Sequence, residues 1–129
     1  IKSGKLKELV KNNKLIVDGS HNEDGARVLN EYLQTLDCNK HIIISMMANK
    51  NHEKYISYFK DISSITTIDL KTQPNSISGK DLKEKFKSIP NVKYQPSIEL
   101  AIRSIDLKEG DLLLITGSLY GAAEILSKN

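Results

Sequence analysis

The residues best suited to chemistry stand together at Asp18-Gly19-Ser20-His21-Asn22. Asp18 and His21 are displayed at the turn. His21 offers a group that changes charge near neutral pH, so it can contact a phosphate or carboxylate, or move a proton. The same residue types also build a tight turn and a helix cap on structural grounds alone. Both readings stand at this point. His21 is the residue that capping explains least, because a cap needs no imidazole. Two further polar turns carry candidate groups: Asn49-Lys50-Asn51-His52, and Gly117-Ser118-Leu119-Tyr120-Gly121 directly after Thr116.

Such turns need strands before them and helices after them. Lys14 to Val17 reads as a short buried strand. Ala26, Leu29, Leu33 and Leu36 recur at helical spacing and predict a helix from Asn22 to about Asp37. Ser20 and Glu23 have capping-box spacing at its start. His41-Ile-Ile-Ile-Ser-Met-Met47 is a continuous apolar run, the pattern of a strand buried on both faces. A helix near Glu53 to Lys60 follows, then a strand from Ser64 to Leu70. Ser78 to Ser88 is the next helix, with Ser78 and Asp81 again at capping-box spacing and Pro90 after its end. Val92 to Tyr94 is a short strand, and Pro96 suits the first position of a helix carrying Ile98, Ala101, Ile102 and Ile105. Asp111 to Thr116 holds Leu-Leu-Leu-Ile, a central strand, and a last helix runs to about Ser127. Lys5 to Val10 is expected as an opening edge strand.

Strands alternating with helices imply an α/β fold, a parallel sheet with helices on both faces. In that arrangement the three polar turns share one edge of the sheet, where open α/β folds bind ligands. The expected site gathers Asp18, Ser20, His21, Asn22, Asn49, Lys50, Thr116, Gly117 and Ser118.

Bulk properties bound the rest. A chain of 129 residues suggests one domain, spanning 1–129. With 39% apolar and 27% charged residues it has an ordinary globular composition. A net charge of +3, spread along the chain, does not argue for nucleic acid. One cysteine, Cys38, allows no internal disulfide. No run approaches the roughly 20 apolar residues of a membrane span, and no signal peptide opens the chain, so a cytoplasmic protein without membrane partners is expected. The first residue, Ile1, points to a fragment of a longer protein. His21, His41 and His52 are scattered and predict no metal site; His41 reads as packing at a strand start and His52 as a solvated helix-start residue. The lysine-rich stretch Lys80 to Lys87 reads as a solvated helix face. The sequence lacks a Gly-x-x-x-x-Gly-Lys-Ser/Thr phosphate loop.

Asp18-Gly-Ser-His-Asn22 resembles the Asp-Gly-Ala-His-Asn signature of the folylpolyglutamate synthase and dihydrofolate synthase family, and Thr116-Gly-Ser-Leu-Tyr120, with Glu124 after it, resembles that family's closing motif. The resemblance covers essentially the whole chain as the C-terminal domain of a Mur-type ligase. It implies a Rossmann-like, mostly parallel six-stranded sheet. It also implies an ATP-dependent amide ligase, in which ATP and Mg²⁺ activate a folate or dihydropteroate carboxylate as an acyl phosphate that L-glutamate attacks. The phosphate loop and Mg²⁺ ligands would lie in a preceding N-terminal and central ligase domain, absent here, and this domain alone would be inactive. By the same resemblance Asp18 would contact the ATP ribose, His21 the phosphates and incoming glutamate, and Ser118 the glutamate. Asn22 and Lys50 would join the nucleotide-binding set. Two positions depart from the pattern. Lys5 stands where the family has an ATP-contacting arginine and lacks its planar fork. Asn49-Lys50-Asn51 stands for Asp-Lys-Asp, so only the lysine remains. Two alternatives accompany this reading: a non-catalytic nucleotide-binding or interaction module, and a cell-wall Mur ligase domain.

Overall fold

Two hydrophobic layers sandwich one parallel sheet, and their composition follows from the period-2 alternation of its strands. The computed structural model describes residues 1–129. In chain order the elements are α1 (Lys5–Val10), β1 (Lys14–Val17), α2 (Glu23–Gln34), β2 (Lys40–Ile44), α3 (His52–Ser57), β3 (Ser64–Ile68), α4 (Gly79–Lys85), β4 (Val92–Gln95), α5 (Ile98–Ser104), β5 (Leu112–Thr116) and α6 (Leu119–Ser127). The sheet order is β1-β5-β2-β3-β4, and every pairing is parallel.

Successive side chains of a strand point to opposite faces. Ile42, Ile44, Leu112 and Leu114 accordingly join Ala26, Leu29 and Leu33 of α2, Tyr55 and Ile56 of α3, and Leu82 of α4 in one core. Ile43, Leu113 and Ile115 join Leu6 and Val10 of α1, Ile98, Ala101 and Ile102 of α5, and Ile125 of α6 in the other. Each fully buried aliphatic side chain contributes about 1.5–3 kcal/mol. Central strands β2 and β5 are buried along their whole length, which is why both read as unbroken apolar runs.

Several expectations are corrected. Lys5 to Val10 is the helix α1, not a strand. Its buried residues are Leu6 and Val10, four apart, and Lys, Leu and Glu are good helix formers. With that element helical, the sheet has five strands rather than six. At α2 the cap is Asn22, whose extended backbone lets its side chain accept from the Gly25 amide at 2.9 Å. The Ser20 hydroxyl is engaged elsewhere, and α2 ends at Gln34. Pro96 precedes α5 rather than opening it, because Ser97 is the cap and accepts from Leu100 N. Ser78 caps α4 as its spacing predicts.

At the amino end of the sheet, His41 is buried between Ser64 Oγ (2.7 Å) and Asp111 Oδ2 (3.1 Å). Burial alone would raise the Asp111 carboxyl. The Lys108 amide, the His41 imidazole and the Asn39 side chain outweigh it and hold that carboxyl below its usual range. His41 thus serves packing at a strand start, as its position suggests.

Candidate active site at the carboxyl end of the sheet

β5 lies between β1 and β2. The helix after β5 covers one face, while those after β1 and β2 cover the other. That reversal opens a crevice beyond the carboxyl end of β5, the position where open α/β sheets bind ligands. All three polar turns follow strand ends at this edge, and backbone bonds tie the first turn to the third and the residue after β2 to β5. Gly117 N donates to the Ser20 carbonyl at 3.1 Å, and Ser45 N to the Thr116 carbonyl at 3.3 Å.

In the first turn Asp18 Oδ1 accepts from Ser20 N at 2.7 Å, a local Asx turn that leaves Oδ2 available. His21 Nδ1 lies 3.1 Å from the Gly19 carbonyl. A carbonyl only accepts, so Nδ1 carries the proton and neutral His21 presents the Nε2 lone pair to the outside. Asp18 and His21 are half-buried and Asn22 is exposed. Tyr55, which the sequence reading left out, reaches this turn from α3. Its hydroxyl donates to the Ser20 carbonyl at 3.1 Å and lies 3.0 Å from Ser20 Oγ and 2.9 Å from Thr116 Oγ1. Burial pushes its phenol up from the ordinary range despite the opposing bonds from Ser20 and Thr116. The signal available in the sequence was a tyrosine beside Ile56 on a mostly polar helix, which core packing explains equally well.

The second turn departs from expectation at His52. It is 6% exposed, and its Nε2 donates to the Met47 carbonyl at 3.0 Å, so it anchors the loop after β2 rather than facing solvent. Asn51 caps α3. Lys50 is half-buried and lines a cleft with Met47, Asn49, Pro74, Asn75 and Tyr120.

In the third turn Ser118 caps α6, its Oγ accepting from Gly121 N at 3.0 Å. Ser118 itself is buried, at 2% exposure. Gly121 allows a close approach, since a Cβ there would meet Ser45 Oγ at 2.7 Å. Close strand–helix packing therefore accounts for this glycine. Glu124, on the buried side of α6, accepts from the amides of Thr72 (2.6 Å) and Lys71 (3.1 Å) and fastens the loop after β3. Desolvation would raise its carboxyl, but the Thr72 hydroxyl and these two amides prevail and lower it. A carboxyl lowered on folding contributes stability in full above its unfolded value, about 4.3. That contribution disappears as pH falls through the lower folded value. Glu124→Gln is expected to cost about 1–3 kcal/mol at neutral pH and to flatten the acid limb of stability below about pH 4. Urea unfolding across pH 3–7 checks both.

Lys5 is not brought to the crevice. Its amide donates to the Asn129 carbonyl beyond the far end of α6 from Ser118. No group of three or more His, Cys, Asp or Glu side chains is placed to hold a metal ion.

The family model for the Mur ligase glutamate ligase domain matches residues 6–119. The chain belongs to that family. The dihydrofolate synthase/folylpolyglutamate synthase of Bacillus subtilis is 27% identical over 126 residues, covering 95% of this Mur ligase domain and 29% of the relative. Folylpolyglutamate synthase from Thermotoga maritima superposes with a TM-score of 0.75 at 25% identity, covering 91% of the domain and 28% of that chain. A bifunctional folylpolyglutamate synthase/dihydrofolate synthase from Yersinia pestis, complexed with AMPPNP and a Mn ion, gives a TM-score of 0.75 at 20% identity, covering 88% and 28%. The glutamate ligase domain thus spans less than a third of the length of these relatives. It has no helix long and apolar enough to cross a membrane.

Proposed function

We propose that this chain is the C-terminal domain of a longer, cytoplasmic ATP-dependent folate:L-glutamate ligase, and that its crevice forms one wall of the ligase site. The observation that carries the reading is the convergence of the Asp18–Asn22 and Thr116–Tyr120 motifs at the end of β5 in a domain of the glutamate ligase family. The AMPPNP and Mn ion of the Yersinia relative and the name of the Bacillus relative support the nucleotide and substrate class.

The chemistry proceeds in two balanced steps. The substrate carboxylate takes the γ-phosphoryl of ATP, giving an acyl phosphate and ADP. The amine of L-glutamate then attacks the acyl carbon, phosphate leaves, the amide forms, and the attacking nitrogen sheds its extra protons. Asp18 Oδ2 is free to accept from a ribose hydroxyl. His21 Nε2 can take a proton from the incoming ammonium or, when charged, contact a phosphate. The N-termini of α2 and α6 present unpaired amides to anionic groups at the crevice. Lys50 adds a cation beside it, with Asn22 at the rim. The Ser118 hydroxyl faces the glutamate. Lys5, tied to the far end of α6, needs the adjoining domain to bring a nucleotide to it.

No three of these side chains cluster as His, Cys, Asp or Glu ligands; the metal that activates ATP would be held by the phosphate-loop domain of the longer protein. The test is mass spectrometry of the complete reading frame's product with ATP, Mg²⁺, L-glutamate and dihydropteroate or a reduced folate. Addition of glutamate with release of ADP is expected, and none from the 129-residue chain alone. A complete protein that consumes no ATP with any of these substrates would overturn the reading.

A further inference from the structure

We propose that Tyr55 is a positioning residue for His21, its phenol fixing the Ser20–His21 peptide plane against the end of β5; this rests on the ligase reading of the crevice. A phenolic oxygen has one proton to donate and room for two donors. Tyr55 uses all three: it donates to the Ser20 carbonyl at 3.1 Å, and Ser20 Oγ at 3.0 Å and Thr116 Oγ1 at 2.9 Å are placed to donate to it. The Ser20 carbonyl also accepts from Gly117 N at 3.1 Å. Two donors from two different elements therefore converge on one carbonyl. The peptide unit is planar, so fixing that carbonyl fixes the direction in which the chain leaves for His21. The imidazole then closes back on the Gly19 carbonyl at 3.1 Å.

The clamp is stiff because its base is. Tyr55 is 1% exposed, and its ring lies 5.6 Å from that of Phe59 at a tilt of 59°. Thr116 is 3% exposed, so its hydroxyl has no water to replace a lost partner. Tyr55→Phe keeps the ring and its packing and deletes only the oxygen. Misplacing a catalytic group by about 1 Å costs on the order of a hundredfold in rate.

The test is a double-mutant cycle in the complete protein. Tyr55→Phe is expected to lower kcat for glutamate addition by about ten- to a hundredfold with the KM for ATP held within about twofold. Adding it to His21→Ala is expected to change kcat by less than about twofold, because the group it positions is already gone. The same loss in both backgrounds, or no loss in either, overturns the proposal, since a general weakening of the fold would multiply through. If the wild-type protein shows no ligation, the ligase reading fails, and the clamp is then judged by NMR of this chain. Tyr55→Phe should shift the His21 ring resonances and speed exchange of its Nδ1 proton while core methyl dispersion is kept. Unchanged His21 resonances overturn the clamp independently of activity.

Discussion

His21→Ala in the complete protein is expected to lower the rate of glutamate addition by about 10²–10⁴-fold, the usual worth of a positioned acid or base. Stability should change by no more than about 1 kcal/mol, the value of one net hydrogen bond. The asymmetry follows from where the side chain makes contact. Its one hydrogen bond closes within its own turn, on the Gly19 carbonyl, and the ring is half-buried rather than part of either core. If Nε2 removes a proton from the incoming ammonium, the loss falls on the glutamate-addition step, while acyl-phosphate formation is left near its wild-type rate. Turnover of His21→Ala within about threefold of wild type would remove His21 from the chemistry altogether.

How much of this was legible in the sequence depended on how many residues carried each signal. The strands β2 and β5 were legible because three or four consecutive branched residues leave few alternatives, and their register places the crevice. Lys5 to Val10 was misread because six residues carry less than two turns of periodicity; Leu6 and Val10 fit a helix face, and the structure resolves the ambiguity by burying both. The opening turn was legible as a turn between a strand and a helix, but its internal contacts were not. Ser20, Asn22 and Asp18 are all good cap or turn residues. Only the tertiary partner, Tyr55, decides that Ser20 faces inward and that Asn22 caps the helix. His52 shows the same limit. Its neighbours are polar, yet the loop folds back so that the ring meets the Met47 carbonyl five residues earlier, a contact set by the path of the loop. Glu124 stands after the closing motif, and its hold on the neighbouring loop at Lys71 and Thr72 had no signal in the sequence.

Gly117→Ala is expected to be the most destabilising single-methyl change in the crevice, costing roughly 3 kcal/mol or more. Two independent effects combine. Gly117 has φ +110°, a conformation that L side chains rarely adopt, and such strain costs about 1–3 kcal/mol. An added Cβ would also fall on the Ser45 carbonyl oxygen, with Ile44 Cγ1 at 2.8 Å and Met46 Cγ at 3.2 Å. The nearest of these atoms, the Ser45 oxygen, is backbone just after β2, so the conflict is not relieved by turning a side chain. Gly110 separates the two effects. It has φ +89° with nothing within 4 Å of an added Cβ, so Gly110→Ala carries the conformational cost alone. Denaturant unfolding of the two variants should therefore differ by about 2 kcal/mol, and the Gly117→Ala midpoint of thermal unfolding should drop by roughly 10 °C. Equal losses would show that the approach of β2 to the Gly117 turn yields without cost. The functional consequence follows from the same atoms. Relief of the overlap moves Gly117 away from β2, and with it the amide that holds the Ser20 carbonyl, so the turn presenting His21 loosens along with the strand end that supports it.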